Sequence, residues 1–444
     1  MKPAMRPYLP ETDGFLIGRG SPRDFLERCL ADFAAWEPKI GAFVAVNLAG
    51  ARAAADAAVA RWRAGKPRSP IDGMPVGIKD IIETHDMATE QGSPLFRGYT
   101  TLRDAASVAA LREAGAVVLG KTVTTEFAST TPRDTRNPWD IARTPGGSSS
   151  GSAAAVACGI LPAALGTQVI GSTIRPASYC GCYGFKPTVG AINRGGSYDY
   201  LSQSCTGTIA ATLAEAWQLA YEMAVRVGGD PGFGGLAGPA QAPAPARPRR
   251  LAVIETAGWA LASADAKAAL EDALKRLAAA GVELRDRRSD PKVAAVEAAV
   301  ANARKNSMEI NAWESRWPLN TYRDRDASKL SEPALERLKQ AEAMTLDDYR
   351  GLLRGRAQAR ARYAEVAADA GATLSLSAPG AAPVGIGWTG EPACTVHTSY
   401  LGIPSISLPL FRDEGLPLGL QVVGFENRDA DVFATAAWIE KALS

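Results

Sequence analysis

The sequence is poor in histidine and has no excess of charge of either sign. Only His85 and His397 occur among its 444 residues, although most hydrolases use histidine as a proton carrier or a metal ligand. The 49 Lys and Arg residues nearly balance the 47 Asp and Glu residues, and no basic stripe is present, so a nucleic-acid partner is not expected. Any chemistry of this chain must therefore depend little on histidine.

Long apolar runs and a cysteine framework are also absent. No run of about 18 apolar residues predicts a membrane span, and residues 1–16 lack the charged start and apolar run of a secretory signal. The six cysteines match neither a disulfide framework nor a zinc pattern, and we expect Cys180 and Cys182 to be buried small side chains. These absences favour a cytoplasmic protein with no membrane contact and no metal site.

The order of the apolar segments predicts an α/β protein. Residues 22–64 show the spacing of helices. Residues 74–78 form a short apolar run that predicts a strand with Lys79 at its end. A helical pattern over 106–114 is followed by an apolar strand pattern over 117–121, which is the alternation typical of an α/β sheet.

The length of 444 residues fits about three domains or one large α/β unit. The predicted parts of the chain are N-terminal helices (about 15–66), a core (about 70–228), a Pro-rich connector (229–250) and a C-terminal part (251–444) with a helical excursion (about 290–370).

Two turns rich in small residues are the most distinctive segments. Residues 145–152 are almost all Gly and Ser and run into the Ala-rich segment 153–157, so the positive end of a helix would face this loop and suit an anion or oxyanion. In the second turn, Gly171-Ser172 could expose a hydroxyl beside unpaired backbone N–H groups. Together with Lys79, the two turns provide the groups that acyl transfer without histidine requires.

The position and spacing of these motifs resemble the amidase signature family. Lys79 lies in Gly-Ile-Lys-Asp, Ser148 lies in Gly-Gly-Ser-Ser, and Ser172 follows Ser148 by 24 positions. Further similarity lies at residues 120–122, 125–127, 136–139, 184–188, 378–380, 401–404 and 416–421. The resemblance implies a single domain over residues 1–444, built as an α/β/α sandwich with a central mixed sheet covered by helices. It also implies an enzyme that needs no cofactor.

The resemblance also implies a Ser–cisSer–Lys triad, in which Ser172 is the nucleophile, Ser148 the cis-serine and Lys79 the base. This assignment is chemically consistent, because burial without a counter-ion disfavours the charged form of a lysine and lowers its pKa. A neutral Lys79 could then accept a proton. Ser148 could relay it from Ser172, because a hydroxyl both donates and accepts hydrogen bonds.

By the same resemblance, the oxyanion hole consists of the backbone N–H groups of Val169, Ile170, Gly171 and Ser172. The chain departs from the family pattern here, since many members carry Asp and then a Gly-Gly pair where this sequence has Gln168 and Ile170-Gly171. A β-branched residue does not readily adopt positive φ, so Ile170 must either have ordinary β conformation or strain the hole.

The predicted reaction is hydrolysis of an amide C–N bond through an acyl-enzyme, with a small amide or carbamate and water as the partners. Carbamate (urethane), urea and biuret-type substrates stay open, since the same acyl chemistry accommodates them, and so does assembly into a homodimer. Predicted substrate contacts are Ser149, Trp139, Ile170 and Trp388. The near-neutral charge and the apolar Ile170 favour an uncharged acyl group.

Three alternatives remain from the residues. Gly147–Gly151 also fits the nucleophile elbow of α/β-hydrolases, with Ser149 and His397 in an esterase site, although residues 140–145 make a poor strand. The other two are a phosphate-binding module and one component of a glutamine-dependent amidotransferase. Arg175 is expected to pair with a buried carboxylate such as Asp80.

Overall fold

The computed structural model describes residues 2–129 and 131–444, and over these residues the strands form one mixed sheet. The strands are β1 (Phe43–Val46), β2 (Pro75–Lys79), β3 (Val117–Thr122), β4 (Ala163–Gln168), β5 (Tyr183–Lys186), β6 (Cys205–Ala210), β7 (Arg250–Val253), β8 (Glu283–Arg285), β9 (Ala372–Leu376), β10 (Ser405–Asp413) and β11 (Leu416–Val423). Their order across the sheet is β1-β3-β2-β4-β6-β5-β10-β11-β9-β7-β8.

Helices flank this sheet, as the predicted fold class requires. They are α1 (Thr12–Leu16), α2 (Pro22–Ile40), α3 (Leu48–Arg63), α4 (Ala106–Glu113), α5 (Ser150–Ala157), α6 (Ile174–Cys180), α7 (Leu213–Val227), α8 (Ala264–Ala279), α9 (Pro291–Val300), α10 (Ala303–Asp326), α11 (Glu332–Ala343), α12 (Leu346–Val366), α13 (Val396–Leu401) and α14 (Asp429–Leu443). A mixed sheet flanked by helices confirms the predicted α/β fold class. None of the helices in the described part of the chain combines the length and the apolar character needed to cross a membrane.

The sheet consists of two sequence-continuous halves. Strands β1 to β6 form one side and β7 to β11 the other, and the halves meet where β5 pairs antiparallel with β10. The Pro-rich connector predicted over 229–250 contains neither helix nor strand until β7 begins at Arg250. This fits its composition, because proline cannot donate the backbone hydrogen bonds of regular structure.

Most predicted elements near the site are confirmed, but one strand was missed. Helix α2 begins after Ser21, whose hydroxyl accepts a hydrogen bond from the Asp24 N–H at 3.1 Å. It ends at Gly41, where φ is +56°. The helical pattern over 22–64 is then interrupted by β1, which pairs with β3. Four apolar residues are too few to show strand periodicity in the sequence.

All six cysteines are buried and unpaired, which confirms the prediction for Cys180 and Cys182. Their pKa values are raised because burial disfavours the thiolate, as for the Cys29 thiol in α2 and the Cys158 thiol after α5. These cysteines therefore act as small apolar side chains in the core.

Substitution of Phe433 should test how the last helix holds the sheet. From α14, its ring contacts Phe185 of β5 (centroids 4.6 Å apart) and Trp217 of α7 (5.0 Å). Phe433→Ala should lower the free energy of unfolding by about 3–5 kcal/mol, since it leaves a cavity between three elements. Urea denaturation followed by tryptophan fluorescence measures the change. Phe433→Leu retains most of the volume and should lose much less, and equal stability of both variants would contradict this packing.

Candidate active site

Lys79 lies at the carboxyl end of β2, where the neighbouring parallel strand β4 also ends. Its Nζ is 2.7 Å from Ser148 Oγ and 2.7 Å from Thr167 Oγ1. The side chain is completely buried. A longer hydrogen bond of 3.5 Å runs from Nζ to the Thr167 carbonyl oxygen. Two of the three residues of the predicted triad are therefore in direct contact, and all partners of the amine are uncharged.

Burial without a counter-ion sets the charge of this amine. Among the described residues, no carboxylate is within ion-pair distance of Lys79, and burial lowers its pKa to about 7. The negative charge of Asp199 opposes this effect and raises the pKa. A substantial fraction of Lys79 is thus neutral near pH 7 and able to accept a proton.

Ser148 is positioned through the carbonyl group that precedes it. The Gly147–Ser148 peptide bond is cis, and Arg175 Nη2 donates hydrogen bonds to Gly147 O at 2.7 Å and to Thr389 Oγ1 at 3.0 Å. Arg175 is buried, and desolvation lowers its pKa to about 10. This guanidinium holds the backbone next to Ser148 in place.

The expected pairing of Arg175 with Asp80 is wrong. Asp80 instead lies 3.5 Å from the amine of Lys121 and accepts hydrogen bonds from the Glu90 N–H. Asp80 follows the last residue of β2, and its carboxylate already has a buried cationic partner in Lys121 of β3.

Ser172 lies in the short loop between β4 and α6, next to the Ser148 loop. The Ser149 N–H donates a hydrogen bond to Ser172 O at 3.3 Å, which joins the two loops. Within residues 2–129 and 131–444 the Ser172 hydroxyl has no hydrogen-bond partner, and the residue is 7% exposed. Its hydroxyl is thus uncommitted and accessible from the adjoining space.

The loop before Ser172 presents unused backbone donors. No acceptor in the described part of the chain takes a hydrogen bond from the N–H groups of residues 169–172. The next two N–H groups, of Thr173 and Ile174, both donate to Gln168 Oε1 at 3.0 Å. Gln168 thus caps the start of α6 and leaves the N–H groups of residues 169–172 available to a developing negative charge.

The departures from the family pattern do not strain this loop. Ile170 is not among the residues with positive φ, and its side chain packs against the cluster that contains Val396 and Tyr400. Ile170 therefore has an ordinary backbone conformation and not the strained one that was the alternative. A side chain at Gly171 would not fit, since its Cβ would lie 2.3 Å from Thr395 Oγ1.

Two predicted substrate contacts have other partners. The Ser149 hydroxyl is completely buried and bonded to the backbone of Thr167. Trp139 Nε1 donates to Cys180 O at 2.8 Å, and its ring packs under Arg412. Because Cys180 ends α6 and Ser172 precedes its start, Trp139 lies at the far end of that helix.

The two remaining predicted residues, Trp388 and His397, differ in their exposure to solvent. Trp388 is 50% exposed and directly precedes Thr389, which contacts Arg175. His397 is buried in α13, both of its ring nitrogens lack a partner among the described residues, and burial lowers its pKa to about 4. Neither it nor any other histidine is bonded to Ser149, so the esterase alternative has no support within the described residues.

A cavity lies beside the loop that precedes Ser172, and we call it the Val169 cavity. Its walls come from that loop, from residues 127–129 and 198–201, and from helices α10 and α11. Lining residues include Phe127, Val169, Asp199, Leu319, Tyr322 and Arg337. The cavity is mostly apolar, and one basic side chain reaches into it.

A second depression, the aromatic cleft, lies next to the Val169 cavity and shares Tyr200 and Tyr322 with it. Its other aromatic lining residues include Phe96, Tyr99 and Trp317. Helix α10 contains Pro318, and Trp317 there has extended backbone angles (φ −97°, ψ 124°). This break turns the Trp317 ring outward, where it is 65% exposed. The aromatic cleft beside the Val169 cavity is thus lined largely by aromatic rings.

Sequence reasoning missed Thr167 and Asp199. Thr167 could have been inferred from the strand order, because the carboxyl ends of adjacent parallel strands meet at one edge of a sheet and Lys79 and Thr167 lie at such ends. Asp199 stands in a loop with no recognisable motif. No sequence signal links it to Lys79.

Comparison with known proteins gives consistent matches. A family model described as Amidase matches residues 24–433. Over 225 residues the chain is 45% identical to one of the subunits of glutamyl-tRNA(Gln) amidotransferase from Roseiflexus castenholzii, and the match covers 49% of this chain and 45% of that protein. The chain therefore spans about half the length of the curated relatives it matches.

Solved structures match over nearly the whole chain. A crystal structure of an amidase has a TM-score of 0.85 and 27% identity, and covers 99% of this chain and 100% of that chain. The native peptide amidase from Stenotrophomonas maltophilia has a TM-score of 0.76 and 25% identity, with 96% and 94% covered. These likenesses agree with the mixed sheet flanked by helices.

Removal of the Gln168 acceptor should destabilise the loop. Gln168→Ala leaves the buried N–H groups of Thr173 and Ile174 without an acceptor, at a cost of about 1–3 kcal/mol for each group. Urea denaturation measures the loss. Gln168→Glu keeps an acceptor oxygen and should lose less, whereas an alanine variant as stable as the parent would show that Gln168 does not hold this turn.

Proposed function

The chain belongs to the amidase family, and from this premise we propose that it hydrolyses the C–N bond of an amide through an acyl-enzyme formed on Ser172. The observation that carries the proposal is the 2.7 Å contact between Lys79 Nζ and Ser148 Oγ. A buried amine whose pKa is about 7 can act as a base at neutral pH, which an ordinary lysine cannot.

In the proposed first step, Ser172 Oγ attacks the amide carbonyl carbon while its proton passes through Ser148 to Lys79. The carbonyl oxygen becomes negative and accepts hydrogen bonds from the N–H groups of residues 169–172. For this relay the Ser172 hydroxyl must come within hydrogen-bond distance of Ser148. Such contacts at catalytic sites commonly tighten only when substrate is bound.

In the second half of the reaction the proton returns from Lys79 through Ser148 to the departing amine. The C–N bond breaks, and the acyl group stays on Ser172 as an ester. Water then attacks this ester with the same two residues acting as base, and the carboxylic acid leaves. Carbamates and ureas have the same reacting carbonyl group, so they are the nearest alternatives to amides.

A glutamine-dependent role is the second candidate, because the curated relatives that the chain matches are components of amidotransferases. Both candidates share the acyl-enzyme step. Ammonia release from free glutamine, compared with release from simple amides and carbamates, distinguishes them. Turnover of glutamine alone would favour the amidotransferase role.

Loss of Ser172 or Lys79 should abolish turnover without unfolding the protein. Ser172→Ala should lower kcat by about 10⁴-fold or more, and Lys79→Met by about 10²–10⁴-fold, since it removes the base. Ammonia release measures the activity, and thermal melting checks the fold. Ser150→Ala is the matched control, because that hydroxyl donates only to Val123 O, at 3.3 Å.

A fluorophosphonate provides an independent readout of the nucleophile. Mass spectrometry should locate the adduct on Ser172, and Ser172→Ala should remain unlabelled. An adduct on Ser149, or full activity of the Ser172 or Lys79 variant, would refute the proposed mechanism.

The pH dependence of kcat/KM should report Lys79. Only the neutral amine accepts a proton, so kcat/KM should rise with pH through about 7. Asp199 raises the pKa of Lys79, so Asp199→Asn, which keeps the side-chain shape, should move this rise to lower pH. A profile that is flat near pH 7, or that moves to higher pH in the variant, would contradict the role of Lys79.

A further inference from the structure

Three polar side chains in the wall of the Val169 cavity, those of Gln91, Ser129 and Asp199, have buried atoms without partners. Within residues 2–129 and 131–444, no group forms a hydrogen bond with Gln91 Nε2, Ser129 Oγ or Asp199 Oδ2. Gln91 is 1% exposed and Asp199 is 5% exposed. Unpaired buried polar atoms are unfavourable, so three of them in one cavity indicate that a bound group completes their hydrogen bonds.

The two carboxylate oxygens of Asp199 differ in their contacts. Oδ1 accepts a hydrogen bond from the Ser204 hydroxyl. Arg194 Nη1 donates to the Asp199 backbone carbonyl at 3.0 Å, while its guanidinium forms an ion pair with Asp230 at 2.6 Å. The acceptor that Asp199 offers to a group in the cavity is therefore Oδ2.

The same wall contains strained backbone. Gln91, Phe127 and Ala128 have φ values of +56°, +48° and +54°, although none of them is glycine, and all three line the cavity. The Phe127 N–H donates a hydrogen bond to Gln91 O at 2.9 Å, which joins the two strained segments. Left-handed conformations of residues other than glycine are unfavourable and cluster at functional sites. The strain therefore supports a functional role for this wall.

The cavity adjoins each part of the proposed catalytic machinery. Val169, in one wall, belongs to the loop whose N–H groups would bind the oxyanion. Residues 127–129, in another wall, closely follow Thr125, whose N–H donates to Ser148 O at 3.3 Å. The carboxylate in the third wall acts electrostatically on Lys79. A group in the cavity thus lies beside the reacting centre without occupying it, as a second group of the substrate would.

The three unpaired atoms determine the chemistry of that group. Gln91 Nε2 needs an acceptor, Asp199 Oδ2 needs a donor, and the Ser129 hydroxyl can serve as either. An amide or ureide unit, –CO–NH–, offers a carbonyl acceptor and an N–H donor side by side. An ammonium group has no acceptor for Gln91, and an ester has no donor for Asp199.

A carboxylate suits this wall less well than an amide. It has no N–H group, and it would meet the negative charge of Asp199. Arg337 also lines the cavity, but it is partly exposed to solvent, so water screens its charge. The buried polar atoms therefore favour an uncharged group.

We propose that Gln91, Ser129 and Asp199 form a specificity site for a second, uncharged –CO–NH– group of the substrate, so that the preferred substrates carry two amide or ureide units. The space in the cavity is about 50 Å³, which is enough for a group of a few heavy atoms. This inference rests on the proposed function. It agrees with the expectation of an uncharged substrate group, but assigns the preference to these polar side chains and not to Ile170.

A matched pair of substrates tests the acyl side of the scissile bond. N-methylsuccinamide and methyl succinamate each contain one primary amide, and they differ only in one N–H group that is replaced by oxygen. Ammonia release from the primary amide should be about 10- to 100-fold higher in kcat/KM for N-methylsuccinamide, because the ester leaves a buried carboxylate oxygen unpaired. The corresponding malonic and glutaric pairs vary the distance to the second group.

A second pair tests the leaving side. N-acetylglycine N-methylamide and N-acetylglycine methyl ester also differ in one N–H group, and acetate release measures cleavage of the acetyl amide in both. The series that shows the preference identifies the side of the scissile bond that the cavity receives. Ratios near one in every pair would overturn the proposal, because water alone would then satisfy the cavity.

The variant Asp199→Asn assigns the preference to the cavity. The Ser204 hydroxyl keeps an oxygen partner in this variant, so the new NH2 group faces the cavity and the ratio of amide to ester should fall to about one or below. The ratio cancels any effect of the variant on Lys79, because both substrates share that base. A ratio unchanged in Asp199→Asn would show that another group recognises the N–H and would overturn the proposal.

The variant Gln91→Met tests the donor. It should lower kcat/KM by about 10-fold for N-methylsuccinamide but not for butyramide, which has no second carbonyl group, and an equal effect on both would contradict a contact with that carbonyl. Ser315→Ala is the matched control, because Ser315 also lines the cavity but its hydroxyl donates to Ala312 O at 3.3 Å. Thermal melting checks the fold of each variant.

A binding measurement separates this inference from the proposed function. In the Ser172→Ala background, calorimetry should detect the preferred amide and not its ester, and the added Asp199→Asn change should remove the difference. If the parent hydrolyses amides but neither turnover nor binding distinguishes amide from ester, the specificity site is refuted while the amidase function stands. If the amide binds through Asp199 but Ser172→Ala retains full turnover, the function fails and the site stands.

Discussion

The candidate site depends on one buried amine that has no carboxylate within ion-pair distance among residues 2–129 and 131–444. Lys79 is placed in the interior by β2, whose five residues are all buried, and its amine donates hydrogen bonds to uncharged oxygens of Ser148 and Thr167. A carboxylate at the same distance would keep the amine charged. The sheet, the two loops and the distant charge of Asp199 together hold its pKa near neutrality.

Much of this arrangement could be predicted from the sequence because it resides in local motifs. Lys79, Ser148 and Ser172 stand at the ends of elements whose apolar pattern is plain, and the structure brings Lys79 and Ser148 into contact. The Arg175 partner was predicted wrongly, since pairing across loops depends on which face each side chain takes. Arg175 holds a backbone carbonyl instead of a carboxylate.

The cavity and its basic residue could not be foreseen for a related reason. Helices α10 and α11 have charged sequences that predict helix but not which neighbour each face meets. The break at Trp317-Pro318 decides the direction of the aromatic rings. Ala334 and Arg337 line the same cavity only once α11 has packed against its neighbours. Long-range packing of this kind leaves little trace in periodicity.

The seam between the two halves of the sheet has a consequence for synthesis of the protein. Strand β5 ends at Lys186, but its partner β10 begins only at Ser405. While the ribosome is still making the intervening chain, the edge of β5 has unpaired backbone groups, which are a template for association with other chains. Nascent protein must therefore shield this edge, with a chaperone or with transient structure, until the second half arrives to cover it.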